Sequence, residues 1–382
     1  MSYQIPFNKP FIVGKELYYV AQSVLGGWTA GDGVYSKKCQ QFMKERFSVS
    51  QVLLTTSCTS ALEMAAILCD VKPGDEVILP SYTFVSTANA FLMRGASLKF
   101  VDIRPDTLNM DESLLQESIT EKTVAIVPVH YAGVACEMDA IMMTAREHGV
   151  FVVEDAAQGV NAKYKGAYLG TIGDIGAYSF HETKNFICGE GGAFVTNDPQ
   201  LSERAEIIRE KGTNRAQYFR GEIDKYTWID IGSSYLPSDI LAAFLYAQLE
   251  HMDEVTKKRQ KIYEDYYTGL EPLVSKGLLR LPEIPAHCET NYHMFYIIVH
   301  DQDTRSRLIQ HLKERGILAV FHYIPLHTSP LGMSMGYSNG MLPVTEDLSE
   351  RLLRLPFYYE LGEKEVGMVV DSIHSFFRSG GH

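Results

Sequence analysis

The chain has 382 residues, 46% hydrophobic and 21% charged, and its 35 Lys and Arg against 47 Asp and Glu leave a formal charge of −12. That composition excludes a disordered chain, and the length supports a large core without covalent staples. The acidic balance argues against a nucleic-acid coat, whose affinity comes from Lys and Arg neutralising phosphates, but leaves room for a small anionic ligand held by a local cluster of donors.

Val52–Thr56 is an apolar run of strand type, followed by an amphipathic stretch from Thr59 to Cys69. Val77–Leu79 and Lys99–Asp102 read as strands, with a helix over Thr83–Met93 between them. Val124–Val129 leads into a helix over Met138–His148, and Val150–Glu154, Ala177–Phe180 and Ala193–Thr196 follow as strands. This alternation predicts an α/β fold, a mostly parallel sheet with helices on both faces and ligands at the carboxyl ends of its strands. The pattern then changes. Asp239–Leu270 reads as one long helix, Tyr292–Val299 and Leu318–Phe321 as strands, and Arg305–Arg315, Glu346–Leu353 and Lys364–Phe377 as helices. Two domains are expected, 1–240 and a smaller α+β unit over 241–382, joined by the long helix.

The six cysteines, Cys39, Cys58, Cys69, Cys136, Cys188 and Cys288, form no C-x-x-C pair and are widely spaced. They fit reduced thiols in the cytoplasm better than a disulfide framework or a metal site. The N-terminal residues show no basic head before an apolar run, so no signal peptide is expected. Gly316–Thr345 carries no formal charge, yet Pro325, Pro330, Pro343 and several glycines interrupt it, which argues against a membrane span.

Three segments can carry chemistry. In Thr56-Ser57-Cys58-Thr59-Ser60 a strand gives way to a helix through small hydroxyl residues. A helix start presents free N–H groups to a phosphate, although the same residues also make an ordinary cap. In Val152-Val153-Glu154-Asp155 an apolar strand runs into two carboxylates. A buried Asp there needs a cation or several donors, and helix capping is its plainer role. In Ser179-Phe180-His181-Glu182-Thr183-Lys184, followed by Gly189-Glu190-Gly191-Gly192, a strand ends near a lysine in a glycine-bounded loop. Most lysines are solvated charges, but one in a cleft can lose its proton and attack a carbonyl. A phosphate cradle, a strand-end Asp and a later Lys are together the three anchors of pyridoxal 5′-phosphate (PLP): helix start to phosphate, carboxylate to ring nitrogen, lysine to aldehyde.

With these motifs the chain resembles the sugar-nucleotide aminotransferases of the DegT/DnrJ/EryC1/StrS family. The resemblance is carried by TSCTSAL (56–62), PSYTFVSTANA (80–90), VEDAAQ (153–158), SFHETKN (179–185), GEGG (189–192) and FHYIPLH (321–327), and it runs essentially the whole length. It implies the aspartate-aminotransferase-like fold (PLP-dependent fold type I), with a seven-stranded, mostly parallel sheet in the large domain. It implies Lys184 as the Schiff-base lysine, Asp155 at the pyridine nitrogen, Gln158 at the ring hydroxyl and Phe84 over one ring face. Ser57, Cys58, Thr59 and Ser179 match the phosphate positions, Cys58 through its backbone N–H. Relatives with histidine at the lysine position act as dehydratases, so Lys184 favours transamination.

One departure concerns Gly232-Ser233-Ser234-Tyr235-Leu236. Ser234 stands where the family often has an Asn that reaches the neighbouring subunit's cofactor phosphate, and a serine reaches less far. The resemblance also implies a homodimer with shared active sites, L-glutamate as donor and a nucleotide-linked keto-sugar as acceptor. The stretches PVHYAGVACEMD (128–139) and EIIREKGTNR (206–215) imply as acceptor dTDP-4-keto-6-deoxy-D-glucose, aminated at carbon 4 to the galacto product for surface polysaccharide such as enterobacterial common antigen. Candidate contacts to the nucleotide sugar are Trp28, Arg215, Arg220, Lys225, His322, Tyr323 and His327. No metal and no nucleic acid is expected.

Overall fold

Seven short strands build the centre of the molecule: β1 (Gln51–Thr55), β2 (Glu76–Pro80), β3 (Ser97–Val101), β4 (Thr123–Ile126), β5 (Phe151–Asp155), β6 (Ile175–Ser179) and β7 (Gly192–Thr196). The computed structural model describes residues 3–380. β1, β6 and β7 are buried at every position, so they read in sequence as continuous apolar runs rather than alternating ones. The order across the sheet is β1-β7-β6-β5-β4-β2-β3. β7 alone is reversed, antiparallel to both β1 and β6, while the other neighbours pair in parallel. The predicted α/β class and its mostly parallel sheet are therefore present.

The helix Cys58–Leu68 leaves β1 almost at once. Ser57 caps it, its hydroxyl accepting from the Ser60 N–H at 3.1 Å. That helix start lies against β7, where a Cβ on Gly192 would fall 2.3 Å from the Ser57 carbonyl carbon and 2.4 Å from the Cys58 nitrogen. Only a glycine lets the strand and the helix start approach this closely. Gly192→Ala is expected to destabilise the protein by roughly 1–3 kcal/mol, read from denaturant unfolding, through overpacking. It should also weaken cofactor retention, because the atoms it displaces form the proposed phosphate cradle.

The helix over Met138–His148 ends where the sequence places it, at Gly149 with φ 66°. The expected long helix does not form in one piece. Asp239–Glu250 and Met252–Val274 are separate, broken at His251 (φ −105°, ψ 18°). The break lets two apolar faces turn to two cores. The first helix buries Ala242, Ala243, Leu245, Ala247 and Leu249 with Met43, Phe47 and Tyr178. The second buries Ile262, Tyr266, Leu270 and Leu273 with Phe295, Leu312 and Ile373.

The C-terminal core rests on a small sheet in the order Leu279–Arg280, Tyr296–Val299, Leu352–Arg354. The strand expected over Leu318–Phe321 is reduced to a bridge from Val320 to Arg354. The helix expected over Glu346–Leu353 runs instead over Pro343–Arg351, and Leu352 turns extended to join the sheet. The sequence reading also missed the helices Glu16–Leu25, Val34–Phe47 and Pro199–Arg209. All six cysteines are free and buried. No helix among the described residues is long and apolar enough to cross a membrane.

Candidate active site

The carboxyl ends of β1, β5 and β6 open onto one cavity of about 850 Å³. Ser57, Cys58, Thr59, Phe84, Asp155, Gln158, Ser179, Lys184, His322 and Tyr323 all line it. The three sequence motifs thus converge, although some 130 residues of chain separate the first from the last.

At the helix start, Ser57 spends its hydroxyl on the Ser60 N–H. The N–H groups of Cys58 and Thr59, in the first turn of their helix, are left for a ligand. The Thr59 hydroxyl donates to Ser86 Oγ at 2.8 Å. Burial pushes the Cys58 thiol well above the ordinary range, which leaves it no role as a nucleophile.

β5 divides its two carboxylates between opposite faces, as the period of two requires. Asp155 lines the cavity. Its Oδ2 accepts from the Thr87 hydroxyl at 2.7 Å and its Oδ1 from the Ala157 N–H at 3.1 Å. Since Thr87 donates to Asp155, Thr83 must donate to Thr87 across their 2.8 Å contact. Glu154 is wholly buried and points away, accepting from the N–H groups of Gly170, Ile172 and Gly173 at 2.6–2.7 Å. His130 Nδ1 accepts from the Cys136 N–H, so its Nε2 carries the proton that it shares with Glu154 at 2.8 Å. This second set of contacts fixes the strand end that presents Asp155.

Lys184 sits in the turn after β6, its N–H donating to the His181 carbonyl at 2.9 Å. Its ammonium is held below the ordinary lysine range by burial, with Asp155 pulling it back up and the charge of Arg354 adding a smaller lowering. That is the setting that frees a lysine amine to act as nucleophile and base. Gln158 is clamped: its Oε1 accepts from the Ala132 N–H at 2.7 Å and its Nε2 donates to the Tyr323 hydroxyl at 3.0 Å. His322 stacks on Tyr323 with 3.6 Å between ring centroids and meets the Tyr131 hydroxyl at 2.6 Å through Nδ1. Burial and the charges of Arg354 and Lys184 hold His322 well below the usual histidine range, so it is neutral at pH 7.

His327 does not belong with these. It is fully buried, with Nδ1 2.7 Å from Ser81 Oγ and Nε2 2.9 Å from Glu346 Oε1. It closes a structural bridge outside the cavity. His327→Ala is expected to cost roughly 1–3 kcal/mol in unfolding, from the lost ring packing and from the buried Ser81 hydroxyl that loses its ring partner, with KM for both substrates unchanged. Nor do Trp28, Arg215, Arg220, Lys225 or Ser234 reach the cavity of their own chain. Arg220 is engaged by Glu206 and Glu222, each at 2.7 Å. Arg215 lies 3.9 Å from Glu210, and Trp28, Lys225 and Ser234 face solvent. The sequence reading missed Phe7, Asn8, Thr87, His293 and Arg354, all of which line the cavity. Thr87 lies within the 80–90 segment without being singled out there, and the others sit in stretches whose apolar or surface-like pattern hides them until the fold closes.

Residues 10–374 match the DegT/DnrJ/EryC1/StrS aminotransferase family. GDP-perosamine synthase of Escherichia coli O157:H7 is 33% identical over 379 residues, 98% of each chain. The aminotransferase TlmJ from Streptoalloteichus hindustanus superimposes with a TM-score of 0.90 at 31% identity, covering 98% of this chain and 99% of its own. The Streptococcus pneumoniae protein Spr1654, solved in a PLP form and a PMP form, gives a TM-score of 0.91 at 25% identity over 99% of each chain in the PLP form. A lysine with a lowered proton affinity, a strand-end Asp and an open helix start fit the cofactor of those relatives, and the chain belongs to the DegT/DnrJ/EryC1/StrS family as a PLP-dependent sugar aminotransferase.

Proposed function

We propose that the protein moves an amino group from L-glutamate to carbon 4 of dTDP-4-keto-6-deoxy-D-glucose, giving dTDP-4-amino-4,6-dideoxy-D-galactose for surface polysaccharide such as enterobacterial common antigen. The observation that carries the transaminase chemistry is the meeting of Lys184, Asp155 and the Cys58 helix start in one cavity. The choice of sugar rests on the resemblance carried by residues 128–139 and 206–215, and a relative named GDP-perosamine synthase supports a nucleotide-linked sugar.

Bound in the cavity, PLP supplies an electron sink for the charge that develops on the donor carbon. The chain's own residues do the rest. The N–H groups of Cys58 and Thr59, with Ser57 and Ser179 beside them, hold the phosphate. Asp155 would keep the ring nitrogen protonated, Gln158 would meet the ring hydroxyl and Phe84 would cover a ring face. Lys184 would hold the group through its aldehyde, and its Nζ, when free, would serve as the base that takes the proton from the donor carbon and as the acid that delivers one to the acceptor carbon of the sugar. His322 and Tyr323 face the acceptor.

The working unit is a homodimer. Leu17, Leu25, Trp28, Phe219 and Trp228 are each more than half exposed, and covering them against a second copy supports this reading. Trp28, Arg215, Lys225 and Ser234, outside their own cavity, would then serve the partner's. We place the reaction in the cytoplasm, where the free thiols stay reduced.

The test is product analysis. The purified enzyme is given PLP, L-glutamate and dTDP-4-keto-6-deoxy-D-glucose, and proton couplings in the NMR spectrum of the product report the configuration at carbon 4. A galacto amino sugar supports the proposal. A gluco epimer, a 3-amino product or a deoxygenated one overturns it.

A further inference from the structure

His293 lines the cavity and has no task in the chemistry described so far. It stands just ahead of the strand Tyr296–Val299 and is buried. The chain reaches it through Tyr292, whose φ of 54° is a left-handed conformation that a bulky residue keeps only where its surroundings hold it. Arg259 does so. From the buried face of the helix Met252–Val274, its Nε donates to the Tyr292 carbonyl at 2.9 Å and a terminal nitrogen donates to the His293 carbonyl at 2.5 Å.

The ring is fixed as well, and its tautomer follows from its partner. Nδ1 lies 2.8 Å from Asn185 Oδ1. The Asn185 amide nitrogen donates to the Asn291 carbonyl at 2.7 Å, which leaves the amide oxygen to face the imidazole. An amide oxygen accepts and never donates, so Nδ1 carries the proton. Burial, then the charges of Lys184, Arg259 and Arg354, hold the ring well below the usual histidine range; His322, also near, is neutral too. At pH 7 Nε2 is therefore a bare lone pair, with no hydrogen-bond partner among the described residues. Asn185 follows Lys184 directly in the chain, so the contact that sets the tautomer also sets the ring beside the lysine. The other groups that act on Lys184 are poorer acceptors. Arg354 has only donors, the buried Cys58 thiol accepts weakly, and both Asp155 oxygens already accept from Thr87 and Ala157.

We propose that His293 is a positioning residue for Lys184: its Nε2 accepts a hydrogen bond from Nζ whenever the lysine is free of the cofactor, and so steadies the amine between taking a proton and delivering one. The inference rests on the acid–base role proposed for Lys184 above. It also fixes a sign. An ammonium is a stronger donor than an amine, so an acceptor beside Nζ favours the protonated lysine and limits how far burial lowers its proton affinity. The ring stays neutral through the range in which a lysine titrates, so the shift belongs to Lys184 alone.

The experiment uses two substitutions that divide the ring. His293→Asn keeps an N–H for Asn185 and lacks Nε2. His293→Gln brings an amide oxygen to the place of Nε2. In the cofactor-free proteins, trace labelling with acetic anhydride over a pH series, read by mass spectrometry of the peptide bearing Lys184, gives the midpoint at which the amine loses its proton. That midpoint should fall by about one pH unit in His293→Asn, the scale of one hydrogen bond to a charged group, and return to within about 0.3 unit of wild type in His293→Gln. In the PLP-loaded proteins, kcat should fall about tenfold in His293→Asn, with KM for glutamate and for the keto-sugar within about threefold. An unchanged or raised midpoint in His293→Asn overturns the proposal. So does a KM change for one substrate alone, which would give the ring to that substrate. If His293→Asn does not fold, nitrogen-15 NMR of the histidine-labelled, cofactor-free protein decides, the His293 resonance being assigned by its loss in His293→Gln. Its Nε2 signal should differ between wild type and Lys184→Ala, and the same signal in both overturns the proposal. A wild type that forms no coloured adduct with PLP would instead overturn the role of Lys184 beneath it.

Discussion

Lys184→Ala is expected to lower kcat for amino transfer by about 10⁴-fold, the upper range for loss of a positioned acid–base group that is also the nucleophile. The variant should still fold, because among the described residues the Lys184 side chain makes no hydrogen bond that holds the loop; the turn is closed by its backbone N–H. It should take up PLP without the visible band of covalently held cofactor, and glutamate should produce no bleaching. A pH profile gives an independent check on the wild type. Burial and Arg354 lower the proton affinity of the amine. Covalent uptake of PLP needs the neutral amine, so its rate should rise with pH and level off below the range of an ordinary lysine. A midpoint near 10.4, the value of a free lysine side chain, would contradict the environment described here.

Asp155→Asn is expected to be the second most damaging change, with kcat reduced by about 10²–10³-fold. The amide is nearly the same shape but carries no charge to keep a ring nitrogen protonated. The cofactor should remain attached to Lys184, so the visible band survives while turnover falls. That separation of binding from rate is what distinguishes an electronic role from a structural one. Asparagine is the informative replacement, since alanine would also release Thr87 and with it the Thr83 contact. Equal losses of cofactor binding and rate in Asp155→Asn would argue that the carboxylate merely holds the strand end together.

Much of this site is legible in sequence because its anchors sit where secondary structure changes. Ser57 before the Cys58–Leu68 helix, Asp155 at the end of β5 and Lys184 just past β6 each follow a buried strand, and buried strands are apolar runs. What is not legible depends on distant partners. Arg354 lies in an Arg-Leu-Leu-Arg stretch that continues a helical pattern from Pro343, and only pairing with Tyr296 and Val320 turns it to the cavity. His322 and His327 stand five residues apart in one segment; Tyr131 and Ser81, far away in the chain, decide which lines the cavity and which closes the interior. His251 interrupts a helix whose apolar periodicity runs straight through it, because the two sides face different cores. The domain assignment from sequence took that helix as a single connector, and the break was invisible to it.

The reversal of β7 has a consequence for motion. Since β6 and β7 are antiparallel neighbours, the segment bearing Lys184 is a hairpin tip rather than a crossover. Phe180 N–H to Gly191 O, Cys188 N–H to Phe180 O and Glu182 N–H to Gly189 O brace it at 2.8–3.0 Å from one end to the other. Asn8 and Asn185 tie its flanks to the N-terminal segment and to Asn291. A lysine carried on so braced a frame travels by rotation of its own stem, on the picosecond-to-nanosecond scale of side chains rather than the slower clock of loops. The proton transfer proposed for Lys184 would therefore need no gate in the backbone.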